Sequence, residues 1–131
     1  NDTAHVETLL KSFCKTVIRV NENKINAVTA VSGSGPAYFY YLAQSMLAAA
    51  VKMGIGKADA RQLVAQTLAG AGRMMLQNDK DSVDTLIKQV ASKGGTTEAA
   101  LKVLEKNKVN RAVFKAVLTA KKRADYLGRV K

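Results

Sequence analysis

The segment ASKGGTTE, residues 91–98, contains the residue types that can bind a small anion. Gly94 and Gly95 come directly before two hydroxyl residues, Thr96 and Thr97, where a helix is predicted to start. Backbone N–H groups at a helix start lack carbonyl partners, and the helix dipole favours negative charge there. The segment therefore predicts a carboxylate site. A second interpretation is that the glycines end one helix and Thr96 or Thr97 caps the next, and the pattern alone leaves both open.

Other sites that commonly do chemistry are not indicated. A dinucleotide-binding turn needs three glycines after a strand, and neither Gly33-x-Gly35 nor Gly54-x-Gly56 is followed by the third. His5 is the only histidine and Cys14 the only cysteine, which excludes the usual zinc and thiol-imidazole sites. We expect no cofactor-binding residue in this chain.

Three aspartates near residue 80 could suggest a calcium site. They lack the glycine and the terminal glutamate of an EF-hand loop, so helix capping explains them better. No metal site is expected. These aspartates are Asp79, Asp81 and Asp84.

Composition favours a helical fold. The chain has 131 residues, of which 47% are hydrophobic and 24% charged, with 5% aromatic and a single proline. A chain of this length forms one domain with a small appendage at most, and this composition favours helix over a β-sandwich. Cys14 cannot form an internal disulfide, and no secretory signal is present, so we expect a cytoplasmic protein.

The first 25 residues differ from the rest. An apolar stripe predicts a helix over Thr3–Cys14, and the β-branched run Thr16–Val20 predicts a strand. Because a lone strand is not stable, we expect it to pair with sequence outside this chain. Residues 1–25 are accordingly predicted to be the end of a preceding domain, and residues 26–131 a helical domain.

Glycines separate the helices predicted in the second domain. The predicted helix Pro36–Met53 is apolar nearly all round, which favours burial in a core or between subunits over a membrane span. Small residues between Ala65 and Gly72 predict a close approach to another backbone. The other predicted helices are Ala58–Asn78, a helix capped by Asp81 or Ser82 and ending near Ala91, a helix from Thr96 or Thr97 to about Asn107, and Asn110–Gly128.

Positive charge is concentrated at the C-terminal end. The formal net charge is +11, and residues 101–131 have ten basic residues against two acidic ones. Four basic residues lie opposite the apolar stripe of the last helix: Arg111, Lys115, Lys122 and Arg129. Because no nucleic-acid-binding motif is recognisable around them, a solvated face is favoured, and a basic module that binds nucleic acid is the alternative.

Two blocks of sequence resemble the pyrroline-5-carboxylate reductase family. AVTAVSGSGPAYFYYL, residues 27–42, resembles the start of the long helix in the family's C-terminal, dimer-forming domain. QVASKGGTTEAALKVLE, residues 89–105, resembles the signature around its substrate loop. The GIG turn after the long helix, the stretch TLAGAGRMM and the basic last helix occur in the same order.

The resemblance implies an all-α dimerisation domain of the 6-phosphogluconate-dehydrogenase-like type, preceded by a remnant helix and strand of a Rossmann domain. It implies an oxidoreductase of proline biosynthesis that forms L-proline from (S)-1-pyrroline-5-carboxylate. NADPH or NADH would be bound by the N-terminal domain, which is absent here, so this chain alone is expected to be inactive. A non-catalytic paralogue is a further alternative, and the expected partner is a second copy, in a homodimer or an oligomer of dimers.

The resemblance also implies roles for individual residues. The loop would hold the substrate carboxylate, and Thr97 would be the catalytic residue, with its hydroxyl on the ring nitrogen. Members of the family often have proline where this chain has Lys93, whose ammonium has the right sign for a carboxylate. The implied substrate-binding residues are Ser92, Lys93, Gly94, Gly95, Thr96 and Thr97.

Overall fold

The computed structural model describes residues 2–129, with only the backbone of Asp2, and this part of the chain folds into helices without any strand. The all-α expectation is confirmed. The α-helices are α1 (Asp2–Phe13), α2 (Ile25–Val28), α3 (Gly35–Lys52), α4 (Lys57–Gln77), α5 (Val83–Val90), α6 (Thr96–Lys106) and α7 (Val109–Arg129).

The strand predicted over Thr16–Val20, which was expected to pair with sequence outside this chain, does not form among the described residues. Residues 16–21 have no regular secondary structure, and the only side-chain contact recorded for them joins Arg19 Nη2 to Glu7 Oε2 of α1 at 3.5 Å. A strand needs a neighbour for its N–H and C=O groups, and residues 2–129 offer none, so β-branched composition alone does not produce a ladder.

A compact helical segment before α3 was missed by the sequence analysis. A 3-10 turn, Glu22–Lys24, leads into α2, and a π-helical turn, Thr29–Gly33, follows. The Ser34 N–H donates to the Thr29 carbonyl at 2.8 Å, and the Tyr38 hydroxyl donates to the Ala30 carbonyl at 3.0 Å. The Tyr38 hydroxyl therefore links the first turns of α3 to the π-helical turn by a hydrogen bond.

α3 begins and ends where its sequence predicts. Pro36 is in its first turn, where a missing N–H costs nothing. At the other end Gly54 has φ +92°, its N–H donates to the Val51 carbonyl, and the Ile55 N–H donates to the Ala50 carbonyl, at 3.0 and 3.1 Å. This is a Schellman motif, which satisfies the last carbonyls and turns the chain into α4.

The helices pack in two groups. α3 pairs with α4, while α2 and the π-helical turn pack on α7, which also contacts α6. A Cβ added at Gly70 or Gly72 of α4 would meet nothing within 4 Å, so among residues 2–129 no other backbone approaches α4 closely at these two glycines.

Very little of this chain is buried. Within the described residues the buried hydrophobic side chains are Ala30, Ala50, Ala60 and Val64, all small. α3 exposes most of its large apolar residues: Phe39 at 55%, Tyr40 at 69%, Tyr41 at 73%, Leu42 at 41% and Met46 at 48%. Helix propensity and caps form these helices, but a single chain does not cover their apolar faces.

Among residues 2–129 no helix is both long and apolar enough to cross a membrane.

Candidate functional site: the glycine loop before α6

The loop between α5 and α6 depends on two glycines for different reasons. Gly94 has φ +74°, a conformation that other residues rarely adopt. Gly95 has an ordinary extended backbone, but a Cβ there would lie 2.5 Å from Ser92 Oγ and 3.0 Å from Ser92 O. The Gly95 N–H donates to that same carbonyl at 3.0 Å, which closes the turn.

α6 begins directly after this turn, and its cap differs from the prediction. The N-cap residue is Gly95, so Thr96 and Thr97 occupy the first two helical positions. Neither threonine caps the helix, because a cap residue precedes the first helical residue. The interpretation of these threonines as caps is therefore wrong, and capping does not account for the TT pair.

The start of α6 offers two backbone N–H groups that can bind a carboxylate and one hydroxyl group beside them. The N–H groups of Thr96 and Thr97 lie in the first turn, where no helical carbonyl can accept them, and the dipole adds partial positive charge. The Thr97 hydroxyl, on a half-buried residue, can donate or accept one further hydrogen bond. The arrangement can hold an anion beside a polar atom.

The structure brings the six predicted site residues together in one turn and the first helical positions. Ser92, Lys93, Gly94 and Thr96 are exposed, whereas Gly95 and Thr97 are half-buried. The loop is accessible from solvent, and the Lys93 side chain is the only cation among the six residues.

From its position in the first turn, Glu98 is expected to compete with a bound anion unless its side chain points away, and the contact that it makes with the loop is not predicted. Its Oε2 accepts a hydrogen bond from the Gly94 N–H at 2.7 Å, and its Oε1 lies 3.3 Å from Lys102 Nζ. A partial signal was present in the sequence, because a glutamate at the third helical position can accept an N–H at the helix start, and Lys102 follows it at i+4. The donor here is Gly94, one residue before the N-cap residue Gly95, so the contact is not a capping box.

A groove between α3 and α4 is the second feature of interest. It has a volume of about 710 Å³, and its wall includes Tyr40, Tyr41, Leu47, Arg61, Val64 and Leu68. None of the loop residues lines this groove, so the groove and the loop are separate surfaces.

The basic face of α7 is exposed as expected. Arg111, Lys115, Lys122 and Arg129 all lie at the surface. Beside this face, Asp125 accepts hydrogen bonds from Lys121 Nζ at 2.7 Å and from Asn26 Nδ2 at 2.9 Å, and these donors hold the pKa of Asp125 below its usual range. That carboxylate links α7 to α2. Nucleic-acid binding by the basic face stays a hypothesis.

Comparisons with known proteins agree on one family. Residues 22–127 match the family model described as pyrroline-5-carboxylate reductase dimerisation. Pyrroline-5-carboxylate reductase of Haemophilus influenzae is 39% identical over 117 residues, which are 89% of this chain and 43% of that protein. Pyrroline-5-carboxylate reductase 3 of Xenopus laevis is 44% identical over 123 residues, 94% of this chain and 44% of that protein.

Solved structures give the same result. The crystal structure of Plasmodium falciparum pyrroline carboxylate reductase with NADP bound superposes with a TM-score of 0.86 at 33% identity, covering 97% of this chain and 50% of that one. The Coxiella burnetii pyrroline-5-carboxylate reductase superposes with a TM-score of 0.78 at 40% identity, covering 83% of this chain and 40% of that one.

This chain thus spans half or less of the proteins that it matches. The match covers most of the chain, including the π-helical turn, the glycine loop and α7, and the chain belongs to the pyrroline-5-carboxylate reductase family, within its dimerisation domain.

Proposed function

We propose that this chain is the substrate-binding and dimerisation part of a pyrroline-5-carboxylate reductase, which reduces (S)-1-pyrroline-5-carboxylate to L-proline. The observation that supports this most is the glycine loop, where both threonines lie inside α6 and not at its cap, within the residues that match the family. Because the chain spans half or less of its relatives, the activity is proposed for the larger assembly to which it contributes.

The substrate has two polar ends that this loop can distinguish. Its carboxylate binds the Thr96 and Thr97 N–H groups, while Ser92, Gly94 and Gly95 shape the turn. The exposed Lys93 ammonium attracts the carboxylate from solvent, with a modest effect because salt screens it. The imine nitrogen faces the Thr97 hydroxyl.

Thr97 acts at the atom whose charge changes. As the C=N bond is reduced, electron density grows on the ring nitrogen, so a hydrogen bond from the Thr97 hydroxyl strengthens in the transition state. The carboxylate contacts, in contrast, are equal before and after reduction. Thr97 therefore contributes to kcat, and the backbone amides contribute to KM.

The residues described here do not fit a dinucleotide cofactor. Dinucleotide sites use a strand, a glycine-rich turn and a helix, and residues 2–129 contain helices without strands. We therefore assign NADPH or NADH, the source of hydride, to a preceding nucleotide-binding domain. Residues 1–25 would form its end, and residues 26–131 the helical domain, with Asn1, Val130 and Lys131 outside the described residues.

The partner in this proposal is a second copy of the chain. α3 exposes its aromatic and aliphatic residues beside the groove shared with α4, and the chain buries few side chains by itself. Covering this face in a homodimer removes apolar area from water. An oligomer of dimers and a cytoplasmic location stay predictions.

A titration with L-proline, the stable product, tests the substrate site directly. With the ¹⁵N-labelled chain we expect chemical-shift changes concentrated at Ser92 to Thr97, and none in the α3/α4 groove. Saturable shifts confined to the groove, or no shift at the loop at millimolar L-proline, would contradict the assignment.

A further inference from the structure

Glu98 connects the glycine loop to the body of α6. One oxygen of its carboxylate accepts the Gly94 N–H at 2.7 Å, and the other lies 3.3 Å from the Lys102 ammonium one turn further along. The Glu98 side chain is 34% exposed, so water weakens these contacts only in part. Each carboxylate oxygen thus has a partner, which fixes the orientation of the Glu98 side chain.

This contact changes which donors remain for a ligand. The Gly94 N–H is occupied by Glu98, and the Gly95 N–H is occupied by the Ser92 carbonyl. Each backbone N–H is a single donor, so the N–H groups at the start of α6 that have no acceptor among the described residues are those of Thr96, Thr97 and Glu98. In this conformation an anion can bind the N–H groups in the first turn of α6, but not those of Gly94 and Gly95, which already have acceptors.

Two contacts support the left-handed conformation of Gly94: the hydrogen bond from the Gly95 N–H to the Ser92 carbonyl, which closes the turn, and the Glu98 carboxylate on the Gly94 N–H. A glycine populates left- and right-handed conformations about equally, so φ +74° is not fixed by Gly94 itself. Gly95, at the cap position, has no side chain that could fasten the turn. The Glu98 contact differs from a capping box, because Glu98 accepts the N–H of Gly94, the residue before the cap, while the N–H of the cap residue Gly95 goes to Ser92.

We propose that Glu98 is a positioning residue of the substrate loop, which holds Gly94 in the left-handed conformation and so directs the substrate carboxylate to the Thr96 and Thr97 amides. The proposal rests on the proposed function for the identity of the ligand, and on the observed contacts for the role of Glu98. The opposite role, in which the Glu98 charge competes with the ligand for the loop, gives opposite results in the test below.

Two variants separate the hydrogen bond from the charge. Glu98→Gln keeps an oxygen that can accept the Gly94 N–H but removes the negative charge, and Glu98→Ala removes both. Glu105→Gln is the matched control, because Glu105 lies on the same helix, is exposed, and has no side-chain hydrogen bond or ion pair among the described residues.

Amide hydrogen exchange of Gly94 in the full chain is the first measurement. We expect Glu98→Ala to accelerate it about tenfold, the lower end of the range for a charge-assisted hydrogen bond, because the site is partly exposed. Glu98→Gln should stay within about threefold of the parent, and Glu105→Gln should change nothing. An exchange rate in Glu98→Ala within about twofold of the parent would overturn the proposal.

L-proline affinity of the same proteins is the second measurement. Glu98→Ala should weaken binding about 5- to 10-fold, and Glu98→Gln should retain most of it. Tighter binding by both variants would show that Glu98 competes with the ligand and would refute the positioning role. If the parent does not bind L-proline, the proposed function fails, while the exchange rates still decide the role of Glu98.

Discussion

A glutamate placed in the groove between α3 and α4 should break the dimer. The chain exposes 11421 Å². A folded monomer of 14.0 kDa is expected to expose only about 6,700 Å². The excess of about 4,700 Å² is larger than the area that one subunit contributes even to an obligate dimer of about 2,000 to 5,000 Å² in total. The excess area supports the proposed homodimer, and α3, with its exposed aromatic residues, is the face at which we test it.

Tyr41 is a suitable residue for this perturbation. It lines the groove and is 73% exposed in the single chain. An unpaired carboxylate buried at a dimer interface costs about 3 to 5 kcal/mol, which raises the dimer dissociation constant about 150- to 5,000-fold. We therefore expect Tyr41→Glu to change the protein from dimer to monomer at micromolar concentration.

Light scattering after size-exclusion chromatography measures this over a dilution series. The parent should have twice the chain mass of 14.0 kDa at every micromolar concentration. Tyr126→Glu, the same change at an exposed tyrosine of α7 outside the groove, should behave as the parent does. A monomeric parent, or a Tyr41→Glu variant that dimerises as well as the parent, would refute the reasoning from exposed area.

Three further predictions concern local structure. Gly95→Ala should destabilise the chain by about 1 to 3 kcal/mol in urea unfolding, because its Cβ would lie 2.5 Å from Ser92 Oγ, and an unchanged midpoint would contradict the tight turn. Asn26→Ala should lower the Tm at neutral pH, because it removes a hydrogen bond to the Asp125 carboxylate. The difference in Tm between variant and parent should shrink as the pH falls below about 3.9, the usual pKa of a free aspartate. The lowered pKa of Asp125 stabilises the fold only while its carboxyl group is ionised, and protonation removes this contribution. Lys108→Gly should raise stability by about 0.5 to 1 kcal/mol, because Lys108 has φ +54° after α6, and a loss of stability would show that its side chain matters more than its backbone.

The periodicity of apolar residues, together with the glycines and capping residues at helix ends, made most of the fold predictable. The Gly54 turn and the cap at Ser82, whose side chain accepts the Thr85 N–H at 3.1 Å, are local features that a few neighbouring residues specify. The same locality explains the error at Thr16–Val20, because strand formation depends on a partner that local sequence does not reveal. The π-helical turn at Thr29–Gly33 was missed for the same reason, since the hydrogen bond from Tyr38 fixes it from the next helix.

The loop and the helix start were predictable from the sequence, their detailed contacts were not, and the role of the loop as a substrate site stays a proposal. Glycines and hydroxyls near a helix start indicated the loop, and the family resemblance indicated its ligand. The helix boundary decides whether a threonine caps or lies inside α6, and boundaries shift by a residue or two with the exact turn. Whether Glu98 competes with an anion or shapes the loop depends on the direction of its side chain. That direction is set by the Lys102 ammonium and by the Gly94 N–H, which has no backbone acceptor and donates to Glu98.

Reductase activity tests the central claim most directly. In a hybrid protein, this chain would replace the matching part of Haemophilus influenzae pyrroline-5-carboxylate reductase, so that the rest of that protein supplies the sequence that this chain does not span. The hybrid should oxidise NADPH only when pyrroline-5-carboxylate is present. Thr97→Ala should lower kcat about 5- to 150-fold, the effect of one buried hydrogen bond of about 1 to 3 kcal/mol, with a smaller change in KM. A folded, dimeric hybrid without turnover, or a Thr97→Ala variant within about twofold of its parent in kcat and kcat/KM, would contradict the account.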